Sequence, residues 1–84
     1  MNQYPCKRVF TAIGEGSDDF RDAMVACVES ALACKVHPEA VLVRPSSSGK
    51  YNSVKIGPML VSDAGEVVAV YRQMKQDARM KWFL

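Results

Sequence analysis

The stretch Arg44-Pro45-Ser46-Ser47-Ser48-Gly49-Lys50-Tyr51 sets three hydroxyls and a glycine between two cations, a composition suited to cradling a phosphate. A P-loop, however, needs a glycine five residues before the glycine of its Gly-Lys pair, a Ser or Thr after the lysine, and a helix whose first amides complete the cradle. Here Arg44 stands at the glycine position, Tyr51 follows Lys50, and the residues beyond alternate like a strand. What remains is a hairpin loop. Pro45 ends one strand, the serines turn the chain through local hydroxyl bonds, and Gly49 supplies a positive φ. A binding version of this loop keeps its backbone amides as an anion nest flanked by Arg44 and Lys50. Ser46, Ser47, Ser48, Gly49, Tyr51 and Lys55 are then further contacts for an anion or small ligand.

No other constellation points to chemistry. His37 is the one histidine and has no acidic or cysteine neighbour at ligand spacing. Cys27 and Cys34 lie seven residues apart on a predicted helix, roughly 10 Å along its axis and too far for a disulfide. With Cys6 they read as reduced structural thiols, and neither a metal site nor a cofactor is expected. The carboxylate pairs Asp18/Asp19 and Asp63/Glu66 open predicted helices, where the dipole accounts for them. Ser46 to Ser48 have no histidine within reach for a triad. The chain is expected not to be an enzyme.

The net charge is +2 and the sequence pI about 8.5. Dedicated nucleic-acid binders commonly exceed a pI of about 9, so the balance argues against one. No run nears the ~18 apolar residues of a membrane span, and ordered-looking sequence from Tyr4-Pro5 leaves no space for a leader. A cytoplasmic protein with no membrane contact is expected.

The positioning elements follow from periodicity. KRVFTAI (7–13) reads as a strand, and Ser17 caps a helix whose stripe is Phe20, Ala23, Met24, Cys27, Val28, Ala31 and Leu32. EAVLVR (39–44) is a strand apolar on both faces, and Tyr51 to Ile56 alternates Val54 and Ile56 against Ser53 and Lys55. Gly57-Pro58 bulges or ends that strand. Ser62-Asp63 caps a second helix with face Ala64, Val67, Val68, Tyr71 and Met74, and Met80 to Leu84 alternates as a last strand. The order βαββαβ is that of a ferredoxin-like α+β sandwich. Two helices cover one face of a four-stranded antiparallel sheet of order 4-1-3-2, within one domain of residues 1–84.

Tyr4-Pro5-Cys6, Ala12-Ile13-Gly14, Arg44-Pro45-Ser46-Ser47 with Gly49-Lys50-Tyr51 and Ser53-Val54, Val70-Tyr71-Arg72 and Met80-Lys81-Trp82-Phe83-Leu84 together resemble the YbeD-like family. The resemblance spans residues 4–84. It implies a ferredoxin-like domain similar to ACT regulatory domains, in a family without an assigned biochemical activity and often labelled lipoate regulatory. Arg8, where the family usually has an apolar residue, Ser48, where lysine is common, and Gly57-Pro58 depart from its pattern.

The second face of such a sheet is bare. With Phe10, Ala40, Leu42, Val54, Ile56, Met80 and Trp82 turned to the helices, the open face shows Val9, Val41, Val43 and Phe83, an apolar patch suited to self-association or a protein partner. On the first and third strands, where RNA-recognition modules of this fold carry their stacking aromatics, Tyr51 is the one exposed aromatic, a poor platform for bases. The expectation is a small regulatory or interaction domain, with a protein partner or homodimer and room for a small ligand. The alternative is anion, metabolite or nucleic-acid binding through the basic Arg44–Lys50 hairpin.

Overall fold

A computed structural model describes residues 3–83 of the chain. Its elements are β1 (Cys6–Gly14), α1 (Asp18–Leu32), a 3-10 turn (Pro38–Ala40), β2 (Val41–Pro45), β3 (Asn52–Val61), α2 (Ala64–Lys75) and β4 (Met80–Phe83). The strands form one sheet in the order β2-β3-β1-β4, every neighbour antiparallel. This is the expected ferredoxin-like sandwich, since 2-3-1-4 is 4-1-3-2 read from the other edge.

The helices begin differently. At α2, Asp63 Oδ1 accepts from the Glu66 amide at 3.0 Å while Glu66 Oε1 reaches back to accept from the Ser62 amide at 2.7 Å, one residue before the cap, a variant of the capping box. At α1 the expected Ser17 side-chain cap is absent. Asp19 takes its place: its Oδ1 accepts from the amides of Ser17 (3.2 Å) and Phe20 (2.9 Å). Those two bonds, helped by Arg79, hold the Asp19 carboxyl below its ordinary range.

Phe20, Met24 and Val28 of α1 and Val70 and Met74 of α2 are fully buried against Phe10, Ala12, Val54, Ile56 and Val61. On α2 this corrects the expected stripe, because Val70 lies inside and Val68 is half exposed. Gly57-Pro58 produces a bulge without ending the strand. Arg8 pairs with Met59 and Phe10 with Ile56, so β3 carries one residue more than β1 across this step and changes parity there.

The faces of the outer strands differ from expectation. Val41 lies opposite Ile56 and Val43 opposite Val54, so both sit on the helix-covered side and pack against the core. Ala40 belongs to the 3-10 turn, and Leu42 points to the open side beside Lys55. On β4, Phe83 pairs with Ala12 and stacks on Tyr71 of α2 with centroids 4.5 Å apart, whereas Trp82 pairs with Ile13 on the open side. Of the four residues expected on the open face, Val41, Val43 and Phe83 are therefore on the other side. A one-residue change of register turns every side chain of a strand over.

Candidate functional site

The open face is built in cross-strand rows. Arg44, Ser53, Ile13 and Trp82 are successive partners across β2, β3, β1 and β4, and Leu42, Lys55 and Thr11 form the next row. At about 4.8 Å per strand the first row is roughly 14 Å long. Trp82 is 53% exposed, Leu42 48% and Val9 44%, while Thr11, opposite Lys55, is only 6% exposed.

Tyr51 joins this face from the hairpin. Its ring meets that of Trp82 edge-on, centroids 5.3 Å apart and planes at 77°, and Lys50 Nζ lies 5.3 Å from the Tyr51 centroid. Ile13, Arg44, Ser46, Tyr51 and Ser53 line a cleft of about 180 Å³ beside this pair. Trp82 is the residue that sequence reasoning missed. The signal that finds it is the pairing of β4 with β1, since alternation in so short a strand fixes no direction.

The hairpin itself is internally bonded. The Ser46 amide donates to the Tyr51 carbonyl (2.7 Å) and the Gly49 amide to the Ser46 carbonyl (2.9 Å), a four-residue turn with Gly49 at φ 75°. The Tyr51 amide donates to Ser46 Oγ (3.2 Å) and the Lys50 amide to Ser48 Oγ (3.3 Å). Four of the amides expected in an anion nest are thus already engaged, leaving at most the pair at Ser47 and Ser48. The serines shape the loop, and the cations beside it are what face outward.

Charge is sharply partitioned between the layers. All nine Asp and Glu lie on helices and connecting turns; the strands and the hairpin hold none, yet carry Lys7, Arg8, Arg44, Lys50, Lys55 and Lys81. The net +2 conceals a basic sheet on an acidic helical layer. Among the described residues Arg44, Lys50 and Lys55 make no ion pair. Arg79, in contrast, is committed: it bridges Asp19 (2.8 Å) and Asp77 (2.8 Å). Its hydrogen bond to Asp77 draws that carboxyl below the ordinary value.

The remaining candidates are structural. Cys27 is half-buried and its thiol is pushed up, first by burial and then by Asp77, so it is a poor nucleophile at neutral pH. All three cysteines are free. Among the described residues no group of three or more His, Cys, Asp or Glu gathers as metal ligands, and no helix is long and apolar enough to cross a membrane.

The chain matches, over residues 1–84, the family described as Protein of unknown function (DUF493). It belongs to that family, the YbeD-like one its motifs resemble. No curated protein and no solved structure matches the chain.

Proposed function

We propose that this member of the family is a non-enzymatic, ACT-like regulatory domain that works as an interaction module through the open face of its sheet. The carrying observation is the row Arg44–Ser53–Ile13–Trp82 with Leu42 and Tyr51 beside it: exposed apolar, aromatic and cationic groups spread across the sheet from edge to edge, which the domain's own helices do not cover. A contiguous patch of this kind marks a recognition surface more than a reaction centre. The polar groups that chemistry would use support the same reading, since Asp63, Glu66 and Asp19 cap helices and Ser46 and Ser48 bond within their loop. Three free cysteines suit a reducing compartment, and we place the domain's action in the cytoplasm.

The test is a photo-crosslinking residue introduced in living cells at Leu42, on the open face, or at Ser30, on the exposed side of α1. Covalent adducts, of whatever chemical class, are expected from position 42 and not from position 30. Equal labelling at both positions, or none at 42, would remove the open face as the working surface.

A further inference from the structure

We infer that the open face binds single-stranded nucleic acid, with bases stacked at the Tyr51–Trp82 pair and phosphates held by Arg44, Lys50 and Lys55. The inference rests on the open face being the working surface and names its partner. A single strand offers what a duplex hides, namely base faces free to stack beside a regular row of negative charge. The sheet supplies the complement of both. Two aromatic rings stand 5.3 Å apart on the uncovered side, one of them more than half exposed. Around them are three cations without ion-pair partners among the described residues, on strands and a hairpin that hold no carboxylate to repel a phosphate.

Layout agrees with this occupant. Trp82 and Arg44 close opposite ends of one cross-strand row, roughly 14 Å apart, a length that lets two or three nucleotides lie across the sheet. Arg44 and Tyr51 line one cleft together with Ile13, which puts a cation and one of the two stacking residues on the same hollow. A second copy of the chain is a poor competitor for the same face. Apposing two copies would set cations against cations with no carboxylate on either sheet to pair them. The modest net charge that argued against nucleic acid is an average over two oppositely charged layers, and Trp82, on the open side in place of Phe83, sets its ring against that of Tyr51.

Trp82 is the only tryptophan, so its fluorescence reports the site directly. Titration of the full chain with a mixed-sequence 12-nucleotide single strand, as RNA and as DNA, is expected to quench it. The duplex of the same sequence, the mononucleotides and a polyglutamate of equal charge are expected to bind at least tenfold more weakly. Neutralisation of three phosphates predicts a slope near −2 in log affinity against log salt, so binding weakens roughly 20-fold between 50 and 200 mM. Anisotropy of a labelled strand should show a loss of about tenfold for Trp82→Ala and for Tyr51→Ala, because stacking on these rings contributes more than any one phosphate contact. Lys50→Glu, in an exposed loop where folding is not at issue, should weaken binding severalfold and flatten the salt slope. Absence of quenching at high micromolar strand, equal affinity for the duplex, mononucleotide or polyglutamate, or full affinity in Trp82→Ala would each overturn the inference. If the probe at Leu42 still yields a protein adduct when strands do not bind, the open face survives as a working surface and only its partner is wrong.

Discussion

The two faces of this sheet are made from alternate residues of the same four strands, yet they do opposite work. Phe10, Ala12, Val54 and Ile56 point to the helices and lose all contact with water, whereas Val9, Ile13, Leu42, Lys55 and Trp82 point the other way and keep much of theirs. Apolar burial stabilises by about 25 cal/mol per Å², so the helix-covered side supplies the folding energy. The open side, which contributes little to stability, is the one at liberty to recognise something else. Charge follows the same division, with carboxylates on the helices and connecting turns and cations on the sheet, of which Lys81 pairs with Glu15 while Arg44, Lys50 and Lys55 make no ion pair among the described residues.

The contrast between the faces is greatest at two aromatic positions. Phe10→Ala empties a fully buried ring site where β1 meets both β3 and Tyr71 of α2, and is expected to cost about 3–5 kcal/mol in urea unfolding. Trp82→Ala removes a larger side chain from the open face and should cost no more than about 1 kcal/mol. Similar losses for the two would mean that the faces are not divided in labour.

Neighbouring residues on β2 probe the division at closer range. Val43→Asp thrusts a carboxylate against the core beside Val54 and should destabilise by about 2 kcal/mol, while Leu42→Asp should stay within about 1 kcal/mol of the parent. The reverse ranking would restore the register in which Val41 and Val43 face outward. That pair of variants also separates stability from binding, because Leu42→Asp alone places a negative charge among the cations of the open face.

The β2 register also marks where the sequence stops being legible. Both helices, all four strands, their order and the inward direction of Phe10, Val54 and Ile56 follow from periodicity, since each long element carries a single apolar stripe. Val41-Leu42-Val43 carries two. With both sets apolar, direction is decided by the hairpin: Pro45 lies opposite Asn52, the loop of residues 46–51 holds an even number of residues, and odd positions of β2 therefore meet even positions of β3. At β4 a register shift next to Gly14 sets the parity, putting Met80 and Phe83, not Met80 and Trp82, on the helical side. The candidate site was half visible for the same reason. Arg44, Tyr51 and Lys55 are placed by the hairpin, but Trp82 enters only through long-range pairing. The α1 cap was missed for a different reason, because Asp19 competes with Ser17 for the Phe20 amide and has the stronger, charged acceptor.

The two faces meet in β4, which sends Trp82 outward and Phe83 inward from consecutive positions, and the strand is rooted at Arg79. The Arg79 carbonyl accepts from the Glu15 amide at 2.9 Å, and its guanidinium ties Asp77 to Asp19 at the start of α1. Both carboxyls titrate below their ordinary value, Asp77 chiefly through the Arg79 hydrogen bond and Asp19 chiefly through the Ser17 and Phe20 amides. A depressed carboxyl stabilises the fold fully above its unfolded pKa, and that stabilisation is lost as pH falls through the lower, folded value. Arg79→Met removes the main cause at Asp77 and a minor one at Asp19. The variant should therefore be slightly less stable than the parent at neutral pH and lose part of the parent's stability gain between strong acid and neutrality. The two should converge where both carboxyls are protonated. This is the smallest effect of the three, because Asp19 is largely exposed and the Arg79–Asp77 pair only part-buried, so water still screens them. Following acid unfolding by Trp82 fluorescence and by far-UV circular dichroism together checks it. A gap between the proteins that persists undiminished below the depressed pKa values would show that Arg79 holds β4 by packing, with its ion pairs incidental.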